Sequence, residues 1–124
     1  LFTVVIRPRA AADFEASYDY YARVASPSVA ESFSNDFQSV CDLIASLPEI
    51  GSRRFAHLFP GKNLRSWSLH RFPVRVVYLV GRKQVEIVAV EHERREPLSA
   101  SGEQENSRSG APLRCRAMYA VGNV

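Results

Sequence analysis

Residues 74–92 read VRVVYLVGRKQVEIVAVEH, and this stretch decides the fold. Residues 74–80 and 85–92 are rich in β-branched side chains, the composition of strands, and Gly81-Arg82-Lys83 between them makes a short hairpin loop. In the first run Val74, Val76, Tyr78 and Val80 share one face, with Arg75, Val77 and Leu79 on the other. In the second, Val85, Ile87 and Ala89 stand against Val88, Val90 and His92. A sheet with one face in water alternates apolar with polar residues. These two strands are apolar on both sides, so each face calls for a cover.

Upstream, residues 65–70 predict a third strand with Arg65, Trp67 and Leu69 on one face, linked onward by Phe72-Pro73. Residues 52–63 have no period and contain Pro60-Gly61, which predicts a connecting loop. At the N-terminus, residues 2–7 predict a short strand that Pro8 ends. From Arg9 the apolar spacing becomes helical: Ala11, Phe14, Tyr18, Tyr21 and Ala25, with Asp13 and Glu15 in the early turns where the helix dipole favours acids. Ser26-Pro27 then supplies an N-cap and a first-turn proline for a second helix. Its stripe is Val29, Phe33, Phe37, Val40, Ile44 and Leu47; Pro48 stops it and Gly51 permits the following turn. Almost nothing separates the two helices, so they form an antiparallel hairpin.

The reading is therefore α+β: an N-terminal strand, an antiparallel helical hairpin, then a three-stranded antiparallel meander, in the order β-α-α-β-β-β. Two helices cover only one face of that meander. The other is expected to be partly apolar and exposed, the mark of a partner site. The C-terminal stretch or a second copy of the chain is the alternative cover. At 124 residues the chain fits one domain, placed at 1–97. Residues 98–124, rich in Ser, Gly, Glu and Arg without period, are expected to be a disordered tail.

No apolar run approaches the ~20 residues of a membrane span, and no secretory signal is visible. Cys41 and Cys115 make neither a zinc site nor a disulfide framework, so a cytoplasmic location is expected. The net charge of +3 conceals an asymmetry. Residues 1–52 carry three bases and seven acids, a balance of −4, whereas residues 53–95 carry ten bases and three acids, a balance of +7. Such a segment favours polyanions or acidic peptides, unless its bases only solvate a strand-rich surface.

No phosphate loop, metal-ligand spacing, nucleophile motif or catalytic carboxylate pair is present, and no cofactor or metal is expected. What remains near the strands is a cationic and proton-shuttling set: Arg65, His70, Arg75, Tyr78, His92, Glu93, Arg94 and Arg95. Such groups neutralise a phosphate and move protons on a ribose hydroxyl, and Arg with aromatic residues also suits RNA. The alternative reading makes Arg75 a solvated strand residue or an ion-pair partner, Tyr78 core with its hydroxyl at the rim, His92 a structural hydrogen bonder and Trp67 a packing anchor.

Several local motifs, in order, resemble the RelE/ParE superfamily of toxins from type II toxin–antitoxin modules. They are Ala12-Asp13-Phe14 and Tyr18-Asp19-Tyr20-Tyr21 in the first helix, Leu47-Pro48-Glu49-Ile50-Gly51, Leu64-Arg65-Ser66-Trp67, Phe72-Pro73, Val76-Val77-Tyr78, and the run from Val85 to Arg95. The resemblance spans about residues 3–97 and implies a growth-inhibiting, plasmid-stabilising toxin neutralised by a co-encoded acidic, partly disordered antitoxin. It places antitoxin contacts on the sheet, at Trp67, Leu69, Val77, Leu79, Val88 and Val90, in a toxin–antitoxin hetero-oligomer without a membrane partner. RelE-like members cleave mRNA on the ribosome; there the catalytic candidates would be Arg65, Arg75, Tyr78, His92 and Arg95. ParE-like members poison DNA gyrase, with no hydrolytic residues established. The Leu64-to-Trp67, Phe72-Pro73 and His92-to-Arg95 patterns look closer to ParE-like chains. RelE-like members usually carry several bases in the helices, whereas this chain has Lys62 and Lys83 as its two lysines and an acidic hairpin, a poor cradle for ribosomal RNA. The gyrase-directed reading is favoured; the alternatives are the endoribonuclease and a nontoxic peptide-binding relative.

Overall fold

The structure is a computed structural model, and it describes residues 1–93. The strand β1 (Thr3–Ile6) leads into α1 (Pro8–Val24) and α2 (Pro27–Ser46). Two single turns of 3-10 helix follow, at Pro48–Ile50 and Ala56–Leu58. The chain then forms β2 (Leu64–Ser68), β3 (Val74–Val80) and β4 (Gln84–His92). The α+β order β-α-α-β-β-β expected from the sequence is the one observed.

Helix termini fall where the local chemistry puts them. Pro8, read as the end of the strand, is itself the first helical residue, because a proline at that position has no amide to leave unsatisfied. Ser26 Oγ accepts the Val29 amide at 3.1 Å and starts α2. Asp13 sits in the second turn of α1, beyond the stretch where the dipole acts, and does something else. Its carboxylate accepts the Val90 amide at 3.0 Å, on a part of β4 that β1 is too short to reach.

The sheet order is β1-β4-β3-β2, with β1 parallel to β4 and the other pairs antiparallel. Between β3 and β4 the register slips: Val77 faces Ala89 while Tyr78 faces Ile87, so Val88 is an inserted residue. Strict alternation along β4 is thereby overturned. Val85, Ile87 and Val90 join the helix-side core, and Val88 and Ala89 join the opposite one. The helix-side core is aromatic at its centre: Phe14 stacks on Phe33 at 5.3 Å and meets Phe37 at 4.8 Å, and Phe72 from the β2–β3 turn closes on Tyr21 at 4.9 Å.

The expectation of an exposed outer face does not hold. Val77 is 2% exposed, Leu79 9% and Val88 0%. Their cover is the segment read as a plain loop, which folds back to place Phe55, Leu58 and Phe59 on Leu64, Val77, Leu79, Val88 and Ala89. The spacing of Phe55, Leu58 and Phe59 is that of one helical turn, and Ala56–Leu58 is indeed such a turn. Of the residues expected on that face, Leu69 and Val90 instead lie in the helix-side core, and half-buried Trp67 packs against it. The expected tail at 98–124 lies outside the described residues. No helix among the described residues is long and apolar enough to cross a membrane.

Phe55→Ala removes the centre of the outer cover. We expect a loss of about 3 kcal/mol in urea unfolding and new binding of a hydrophobic dye at neutral pH; a loss under about 0.5 kcal/mol would mean that the turn is not a cover.

Candidate functional site

The catalytic candidates are distributed over both faces of the sheet, and each described one is engaged. Arg65, on β2, donates Nη1 to the carbonyls of Glu49 at 3.0 Å and Gly51 at 2.9 Å, and Nε to Asn63 Oδ1 at 3.0 Å. Its Nη2 stands 3.9 Å from Glu49 Oε2. The guanidinium therefore satisfies carbonyls of the turn that follows α2.

Tyr78 is the cross-strand partner of Arg65 and works on the same turn. Its side chain is fully buried, and Oη donates to the Pro48 carbonyl at 2.8 Å while accepting the Gly51 amide at 3.0 Å. Burial pushes the phenol above its usual value, only partly countered by the Gly51 amide and the Arg65 charge. A phenol held neutral with both its donor and its acceptor used is a scaffold bond. Gly51 is required for the approach, since a Cβ there would lie 2.5 Å from Tyr78 Oη.

Arg75 points to the other face. Its Nε donates to Glu91 Oε1 at 3.1 Å, with the two side chains 7% and 5% exposed. Arg9 of α1 reaches the same carboxylate at 3.8 Å, and the Arg75 guanidinium lies 4.9 Å from the Phe55 ring centre. The ion pair thus helps to seat the outer cover. His92 lies on the helix side, opposite Val74 in the ladder, and lines a cleft of about 480 Å³ with Asp13, Tyr20, Tyr21 and Arg23. His70 is exposed, and its backbone amide is held by Asp36 Oδ1 at 3.2 Å. Glu93 accepts from Ser68 Oγ. Arg94 and Arg95 lie outside the described residues. No group of three or more metal-ligating side chains occurs among the described residues, and Cys41 is a buried free thiol.

Two further grooves among the described residues bear on binding. One, of about 540 Å³, runs beside the edge strand β2 between Ile50, Phe55 and Trp67, with Arg54, Arg75 and Glu93 at its rim. Part of that edge is closed, since Ser52 and Ser66 exchange both backbone bonds at 2.9 and 3.0 Å. Of the expected antitoxin contacts, Trp67 lines this groove. The other groove, of about 680 Å³, lies at the β3–β4 hairpin end and is lined by Arg7, Lys62, Arg82 and Lys83 with Glu86. Sequence reasoning missed Glu49, Asn63 and Gly51 as the partners that occupy Arg65 and Tyr78. Pro48 followed by Gly51 was the available signal for a turn needing internal bonds.

The family described as the ParE toxin of the type II toxin–antitoxin system parDE matches residues 4–97. Among solved structures, one from the chromosomal ParDE toxin–antitoxin system of P. aeruginosa is similar at 22% identity and a TM-score of 0.52. That match covers 73% of this chain and 95% of the other, and it shows likeness of fold. No curated protein matches.

Tyr78→Phe leaves the Gly51 amide and the Pro48 carbonyl unpaired, and we expect a loss of about 1–3 kcal/mol. A phenol raised in the folded state stabilises it at all pH values below the ordinary phenol range near ~10, and that contribution fades as pH rises through the folded value. Chemical denaturation between pH 8 and 11 checks this: the wild type should lose stability above pH ~10 more steeply than Tyr78→Phe. Tyr21, also raised by burial, is common to both proteins and cancels in the comparison. Arg75→Ala leaves the buried Glu91 with only the longer contact to Arg9 and is expected to cost about 3 kcal/mol; its melting temperature, read beside any loss of toxicity, identifies that loss as unfolding.

Proposed function

The chain belongs to the ParE toxin family of type II toxin–antitoxin systems, and from that premise we propose that it acts by binding DNA gyrase rather than by cutting RNA. The observation that carries this reading is the engagement of Arg65, Arg75 and Tyr78 in scaffold bonds on opposite faces of the sheet. A ribonuclease that promotes 2′-hydroxyl attack needs a base, an acid and a cation converging on one phosphate. Here the two arginines are spent on carbonyls and on Glu91, and the phenol is sealed from solvent. A toxin that inhibits by occupying its target makes no such demand.

The same premise brings an antitoxin. The solved ParDE structure contains the corresponding system in its own organism, and we extend to this chain an acidic, partly disordered antitoxin that silences it. The outer face cannot receive that chain without displacing Phe55, Leu58 and Phe59. The groove beside β2 offers a more direct seat. Ile50, Phe55 and Trp67 supply apolar walls, Arg54 supplies positive charge, and an edge strand supports an extended peptide. Binding would order the peptide there, with acidic side chains toward Arg54.

Purified chain is expected to inhibit gyrase supercoiling or trap cleaved DNA at micromolar concentration, and its induction alone to arrest growth with a DNA-damage response. Codon-positioned cuts in ribosome-bound message, with gyrase untouched, would replace this reading by the endoribonuclease. Growth without arrest, with a retained peptide complex, would leave a nontoxic binding relative.

A further inference from the structure

The groove at the hairpin end carries a charge that the gyrase reading does not use. Lys62 enters it from the turn before β2, and the Val80 amide binds the Asn63 carbonyl at 3.0 Å, which brings that turn beside the end of β3. Arg82 and Lys83 come from the hairpin loop, which the Gly81 amide closes on the Gln84 carbonyl at 2.7 Å. All three are exposed. The acids nearby are already taken: Glu86 is bound by Arg7, and Glu49 by Arg65. Arg53 next to them donates to the neutral amide oxygen of Asn63 at 3.1 Å, which leaves its charge uncompensated. Among the described residues, no carboxylate lies within ion-pair distance of Lys62, Arg82 or Lys83.

We propose that this tip grips the sugar–phosphate backbone of duplex DNA, so that the toxin holds both gyrase and the DNA on which gyrase works. Three features choose a duplex. The residues lining the groove include no aromatic ring, so there is no platform on which single-stranded bases stack. The apolar lining is Leu79, 9% exposed, and half-buried Val80, too little to anchor the apolar stripe of an acidic helix. Besides Glu86, which Arg7 neutralises, lysine, arginine, asparagine, glutamine and open loop backbone remain, the groups that contact phosphates without reading sequence. Gly61 adds space: its φ of 79° sets the turn, and no atom lies within 4 Å of where a Cβ would stand.

The 124-residue chain is titrated into a labelled mixed-sequence duplex and into single-stranded RNA of equal length. Neutralising about three phosphates predicts a log–log salt slope near −2.7, hence binding about 40-fold weaker at 200 mM than at 50 mM salt. Lys62→Glu, Arg82→Glu and Lys83→Glu combined should lose duplex binding and flatten the slope, with an unchanged melting temperature because all three side chains are exposed. Absence of duplex binding by the wild type, equal binding by the triple variant, or a preference for the RNA would overturn the proposal. The link to gyrase rests on the reading above and has its own arm: the variant should inhibit supercoiling at least tenfold less while still capturing gyrase without DNA. Undiminished inhibition by the variant would overturn the DNA grip but spare the gyrase reading. A wild type without effect on gyrase would end that reading and leave DNA binding to be judged on its own titration.

Discussion

A sheet that is apolar on both faces must be covered twice, and the rest of the described structure follows from how this chain does so. One cover is the helical hairpin, whose aromatic stripe from Phe14 to Phe37 packs on Val76, Ile87 and their neighbours. The other is a single turn carrying Phe55, Leu58 and Phe59. The second cover is short, so it relies on attachments at both ends. The Ser52–Ser66 bridge fixes its start, the Val80 amide on the Asn63 carbonyl fixes its end, and Arg75 lies against Phe55. Burying apolar area contributes about 25 cal/mol per Å², so a few aromatic side chains suffice for a face this small.

That double cover explains why cationic and hydroxyl groups near the strands read as chemistry and behave as scaffold. Arg65 and Tyr78 satisfy the carbonyls and amide of the turn between α2 and the covering segment. Arg75 and Glu91 pair between Phe55 of the outer cover and Arg9 of α1. Buried polar groups without partners are costly, so a thin fold spends its polar side chains on closing its own turns. In the proposed reading, function is then left to surfaces: the groove beside β2 and the cationic tip at the hairpin end.

The two surfaces differ in kind. The β2 groove joins apolar walls to a strand edge that the Ser52–Ser66 bridge closes only in part, which suits a peptide that orders on binding. The tip presents charge with almost no apolar area, which suits a partner recognised at long range and released by salt. A toxin that must be held silent by one macromolecule and act on another is served by surfaces of unlike chemistry.

The sequence by itself determined the element order, the helix boundaries at Ser26-Pro27 and Pro48, and the alternation of β3, since each rests on spacings of three, four or two and on proline's missing amide. It also showed the basic character of the segment after residue 52. Only the tertiary structure decided that Val88 is an insertion that moves Val90 to the helix side, that the 52–63 segment is a cover, and that Arg75 and Tyr78 are bound inward. Those outcomes depend on which distant residues share a volume. Glu91 lies sixteen positions from Arg75, and Gly51 twenty-seven from Tyr78. Local periodicity states which face a side chain takes, and carries no information on what will meet it there.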